Sequence, residues 1–186
     1  MDLATLRAWW AHRQGLDGAY EARSAADVLA NTGWARSIGG AAPYLTLFAR
    51  AGLSRESLDR DVADLAICEL PSARGCTYVV PAADFALALK VGEGFSTKQE
   101  LKQACSLGSS LKEIDRLCAK VLDALANGPL EPKELREHLG GAVREFGPDG
   151  VKKGMATTLP VALGKLQGEG HIRRIATNGR FDQQRY

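Results

Sequence analysis

The sequence predicts a mainly α-helical fold with small β-hairpins, on three observations. Apolar residues recur at helical spacing through most of the chain. Two stretches, LAICELPSARGCTYVVP and HIRRIATNGRFDQQRY, read instead as short strands around a tight turn. Each of them follows a set of helices, so one plan runs twice in 186 residues, a length that suits two small domains.

The elements follow in order. Leu3, Leu6, Trp9 and Trp10 sit at helical spacing, and these tryptophans together with Trp34 are expected in the core. Ser24 is placed to cap a second helix that Gly33 stops. After Gly39-Gly40 comes a third, with Pro43 in its first turn, Leu47 and Phe48 facing inward and Gly52 at its end. Ser54 caps a fourth, on which Glu56 and Arg60 are spaced to pair. Thr77, Tyr78, Val79 and Val80 favour strand, with a turn at residues 71–75 before them and Pro81 closing the run into another helix.

Residues 92–110 are polar and punctuated by Gly94, Ser96, Gly108 and Ser109, which sets the domain boundary near 108–110. The expected domains are therefore 1–110 and 111–186. Ile114, Leu117, Cys118, Val121, Leu122 and Leu125 form an amphipathic helix over 111–126. A short helix starts near Pro132 and ends at Gly140, and a glycine- and charge-rich connection spans 142–154. The next helix has Thr157 or Thr158 as N-cap, Pro160 in its first turn, and an apolar face of Leu159, Val161 (or Ala162), Leu163 and Leu166. Asn178-Gly179 then closes a hairpin, because both residues tolerate positive φ. Three helices and a basic hairpin make the order of a winged helix, so the chain reads as tandem winged helix-turn-helix domains.

Composition narrows the class. With 45% hydrophobic and 25% charged residues, the chain can fill a core and is not disordered. No apolar run reaches the roughly 20 residues that span a membrane, and the opening MDLATLRAWWAHRQ lacks the pattern of a secretory signal. Cys68, Cys76, Cys105 and Cys118 form no CxxC pair and gather no histidines, so reduced thiols in a cytoplasmic protein are expected, without metal or cofactor. His12, His138 and His171 lie far apart and sit in no catalytic pattern.

Net charge is only +2, but its distribution is uneven. Residues 151–186 hold seven Lys or Arg against two acids, whereas the rest holds 17 against 20. A concentrated basic segment is what phosphate binding requires, and double-stranded DNA is the expected partner. In a winged helix the third helix presents its N-terminus to the duplex, where free N–H groups favour anions. Candidate contacts there are Thr157 and Thr158, with Lys152 and Lys153 upstream and Lys165 further along. The threonines could equally be plain caps. On the hairpin the candidates are Arg173, Arg174, Asn178, Arg180 and Arg185, the alternative being a solvated edge whose charge discourages aggregation.

Three runs, TGWARSIGGAAPYLTLFARAGLS, CTYVVPAADF and TLPVALGKLQGEGHIRRIATNGRFDQQRY, together resemble the AlkZ/YcaQ-like family of winged-helix DNA-binding proteins. The resemblance covers nearly the whole chain and is strongest around 43–50 and in the last 30 residues. It implies stacked winged-helix modules that clasp DNA. It also implies, for some members, a DNA glycosylase that removes alkylated or crosslinked bases. In those a Gln-x-Gln or Gln-x-Asp pair just before the segment matching PYLTLFAR positions the attacking water. Here Arg36 and Ile38 stand at those positions, and residues 29–50 contain no Gln, Asp or Glu. A water-activating site needs an acceptor within reach. The expectation is a DNA-binding relative of the glycosylases without their catalytic pair, the alternative being a base-excision glycosylase whose acceptors come from elsewhere. The resemblance further implies a module beyond Tyr186, so the chain reads as an N-terminal fragment or a shortened product.

Overall fold

The computed structural model describes residues 2–95, 97–176, 181 and 184–185. It falls into two compact units. The first comprises Met1–Leu70, Cys76–Ala88 and Ile175–Gln184; the second comprises Pro71–Gly75, Leu89–Arg174 and Arg185–Tyr186.

The first unit runs through α1 (Leu3–Arg13), α2 (Ala25–Thr32), β1 (Ala35–Arg36), α3 (Ala41–Ala51), α4 (Arg55–Ala63), β2 (Ile67–Pro71) and β3 (Thr77–Pro81). Ser24 and Ser54 cap α2 and α4 by accepting from the N–H groups of Asp27 and Ser57, each at 3.2 Å. Gly52 ends α3 in the left-handed conformation that glycine adopts without strain. On α4 the ion pair is Arg55–Asp59 at 3.7 Å rather than Glu56–Arg60. The strands form one sheet in the order β1-β3-β2, with β1 antiparallel to β3 in the register Ala35–Val79 and Arg36–Tyr78. Val28, Leu29, Leu47, Leu58, Ile67 and Val79 make the core.

Two expectations for this unit need correction. Trp9 and Trp10 are 51% and 58% exposed, and no residue of α1 is buried. Helical spacing established that α1 is a helix, but not that a partner covers its apolar residues. Phe48, expected to face inward, is 64% exposed, while Leu47 beside it is fully buried.

The C-terminal segment packs here as well. Strands β4 (Ile175–Ala176) and β5 (Gln184–Arg185) pair with each other, β4 lies against α4, and Phe181 is buried with its ring 5.3 Å from that of Tyr44. Sequence order alone had grouped these strands with 111–186.

After α5 (Phe85–Gly92), the second unit contains α6 (Thr97–Ser106), α7 (Leu111–Leu125), α8 (Pro132–Leu139), α9 (Gly147–Lys152) and α10 (Leu159–Gly168). Its core gathers Ile114, Leu117 and Val121 of α7, Leu135 of α8, and Leu159, Val161, Leu163 and Leu166 of α10. Each such side chain contributes about 1.5–3 kcal/mol by leaving water. Ser110 and Glu113 form a reciprocal capping box at the start of α7, and Glu131 and Glu134 form another on α8.

The polar stretch 92–110, read as leading to the domain boundary, contains α6, and the connection 142–154 contains α9. Leu101 and Ala104 of α6 face the core, and the helix packs against α10. Two glycines of α10 lie close to side-chain oxygens of α6. A Cβ at Gly164 would stand 3.0 Å from Glu100 Oε2, and one at Gly168 would stand 3.3 Å from Thr97 Oγ1.

Candidate nucleic-acid interface

Helix α9 carries Lys152, and Lys153 is its C-cap. The turn around it is fixed by Phe146 N–H donating to the Ala156 carbonyl at 2.9 Å and Met155 N–H donating to that of Gly150 at 2.8 Å. Gln103 of α6 also donates to the Lys153 carbonyl at 2.9 Å. Backbone is therefore anchored while both ammonium groups stay exposed, with no ion pair among the described residues. The two lysines border a concavity of about 460 Å³ shared with Ser106, Leu107, Phe146 and Asp149. Arg173 is likewise exposed and without an ion pair among the described residues, and Arg174 is half-buried.

The expected open helix tip is closed. Helix α10 lies between α6 and α7, and six of its ten residues are buried. Thr158 is its N-cap but makes no capping hydrogen bond; only 2% exposed, its hydroxyl accepts from Arg144 N–H at 3.0 Å. Thr157 is half-buried and pairs through its backbone with Glu145. Lys165 is neutralised: its ammonium is 2.8 and 3.0 Å from the two Glu169 oxygens and 3.7 Å from Asp115. The Glu169 hydrogen bond raises the Lys165 pKa. Asn178 and Arg180 lie outside the described residues. Arg185 is in β5, and its side chain lies outside them too.

In the first unit, β1 ends at Arg36, the first residue of the stretch Arg36-Ser37-Ile38 that the resemblance sets against the glycosylase pair. Arg36 donates to Cys76 Sγ at 3.2 Å, and Ser37 N–H donates to the Thr77 carbonyl at 2.9 Å. Ile38 is 58% exposed. The carboxylates that residues 29–50 lack arrive from elsewhere in the chain. Asp84 accepts from Trp34 Nε1 at 2.8 Å, and Asp59 accepts from the Tyr44 hydroxyl. Burial and that hydrogen bond push the Tyr44 phenol up to about 12. Sequence spacing offered no signal for either pairing, since 50 and 15 residues separate the partners.

Charge counting over the last residues also missed Arg116 and Lys120 of α7, both exposed and without an ion pair among the described residues. Only their four-residue spacing on a strongly amphipathic helix hinted that they share a face.

These features define a mainly helical protein with a small sheet in its first unit and unpaired cations on its second. The chain belongs to the AlkZ-like DNA glycosylase family, whose model matches residues 35–186. Helices α1 and α2 precede that match. Among solved structures it is similar to Streptomyces sahachiroi DNA glycosylase AlkZ, with a TM-score of 0.71 and 20% identity. The likeness, one of fold, covers 100% of this chain and 48% of that one, so this chain spans about half the length of its relative. No curated protein matches the sequence.

Proposed function

We propose that this protein binds double-stranded DNA through two winged-helix modules, as a relative of the repair glycosylases in which Arg36 and Ile38 replace the water-positioning pair. In the first unit the order helix, strand, helix, helix, strand, strand, with the sheet order β1-β3-β2, supports a winged-helix reading. In the second, α7, α8 and α10 around one core support the same reading. The observation that carries DNA binding is the exposure of Lys152, Lys153 and Arg173 without acidic partners among the described residues. Such cations displace condensed counterions from a duplex, and binding then weakens linearly in log salt. Four free thiols favour a reducing compartment such as the cytoplasm. Fluorescence anisotropy with a labelled duplex across a salt series tests the proposal. Affinity should fall as salt rises, and affinity that ignores salt refutes it.

A second reading, a base-excision glycosylase, is favoured by family membership and by the Asp84 carboxylate that Trp34 holds in the same unit as β1. A base-release assay on alkylated duplex separates the two. Release that Asp84→Asn abolishes supports the enzyme; silence across several lesions ends that reading.

A further inference from the structure

The second unit has another cationic concavity, whose cations all lie outside the basic segment 151–186. It measures about 440 Å³, within the range of ligand-sized sites, and its lining includes Glu113, Arg116 and Lys120 of α7, Arg144, and Thr158 at the start of α10. Three cations face one carboxylate there. Glu113 is already engaged: it caps α7 through Ser110 N–H at 2.7 Å and accepts from Arg144 Nη1 at 3.1 Å. That contact leaves Arg144 Nη2 without a partner among the described residues and fixes the guanidinium at the wall. Arg116 and Lys120 have no ion pair at all among the described residues, and Lys112 continues their row one turn earlier. Like charges at four-residue spacing repel one another along the helix. An anion seated in the concavity would reverse the sign of that interaction. Thr158 completes the site: its oxygen accepts from Arg144 N–H, which leaves the hydroxyl proton for a further acceptor.

We infer that this concavity is a second phosphate site, taking a phosphodiester of the DNA backbone on Arg116, Lys120 and Arg144. Arginine offers the planar fork that suits phosphate oxygens, and lysine adds a compact charge. The contact fixes register and reads no base. This inference rests on the DNA-binding reading and adds Arg116 and Lys120 of α7, far in sequence from Lys152, Lys153 and Arg173.

The test compares three proteins by anisotropy on one duplex: wild type, Arg116→Gln/Lys120→Gln and Lys152→Gln/Lys153→Gln. Losing the one phosphate contact of this site should flatten the log–log salt slope by about 0.9, which makes the affinity advantage of wild type about 3.5-fold larger at 50 mM than at 200 mM salt. The first variant should keep its melting temperature, since both side chains are exposed and make no ion pair among the described residues. An unchanged slope in that variant, with a reduced one in Lys152→Gln/Lys153→Gln, overturns the site and leaves DNA binding intact. No duplex binding by wild type overturns both. If inorganic phosphate protects wild type against melting while the first variant binds duplex normally, the concavity serves a small anion and the inference is likewise overturned.

Discussion

At Gly150 an added methyl group sets two effects of opposite sign against each other. Helix propensity favours Ala over Gly by about 1 kcal/mol in a helix interior. Sterics oppose it. A Cβ built at Gly150 would stand 2.2 Å from Phe146 Cβ and 2.4 Å from the Met155 carbonyl oxygen. Neither neighbour is the far end of a flexible side chain, so α9 itself must move. That movement strains the turn in which Met155 N–H donates to the Gly150 carbonyl at 2.8 Å. Overpacking costs about 1–3 kcal/mol, and a lost hydrogen bond costs about 1 kcal/mol more. After the propensity gain is subtracted, Gly150→Ala should lose about 1–3 kcal/mol. For a chain of this length that lowers Tm by roughly 2–12 °C. Because α9 carries Lys152 and supports Lys153, duplex affinity should fall as well. Thermal melting followed by circular dichroism, with anisotropy on the same preparations, gives both numbers. A variant as stable as wild type would refute the steric reasoning and leave propensity in charge.

Other perturbations follow from the same contacts. Thr158→Ala removes the acceptor of the Arg144 N–H at a residue 2% exposed. It should cost about 1–3 kcal/mol in urea unfolding, most of it restored by Thr158→Ser; equal stability of all three would count against the role of that hydroxyl. Lys165→Gln should leave duplex affinity and its salt slope unchanged, because Glu169 and Asp115 already hold the ammonium, and should cost about 1 kcal/mol or less. A large loss of affinity would show that this lysine reaches DNA after all. The Tyr44 phenol, pushed up to about 12, should ionise late in a spectrophotometric titration, a phase absent from Tyr44→Phe. Its unfolded counterpart loses its proton near pH ~10, so the unfolded state binds fewer protons above that point. Tyr44 therefore stabilises the fold fully below pH ~10 and loses that contribution as pH rises through about 12. Persistence of the late phase in the variant would assign it to another tyrosine.

What sequence could and could not foretell divides along physical lines. Local signals carried well. The caps at Ser24 and Ser54 depend on neighbours three residues away, and the turn expected over residues 71–75 falls between β2 and β3. The 3.6-residue period of α7 buried Ile114, Leu117, Cys118 and Val121 as spacing requires, although Leu122 at the edge of that face stays 38% exposed. Signals that depend on a distant partner were lost. Helix α6 offers few apolar residues, and the helix it packs against, α10, lies far along the chain. Strand β1 is two residues long, too short to show alternation. Lys165 pairs locally with Glu169 at 2.8 Å, but its second acid, Asp115 at 3.7 Å, comes from 50 positions earlier. Trp9 and Trp10 show the converse error, in which apolar character was equated with burial.

The central claim is that exposed cations on the second unit neutralise DNA phosphates. The most direct measurement is the salt slope of duplex binding for wild type against Lys152→Gln/Lys153→Gln/Arg173→Gln. If each cation meets one phosphate, the triple variant should bind more weakly, with a slope flattened by about 2.7. A triple variant that matches wild type in both affinity and slope would contradict the account.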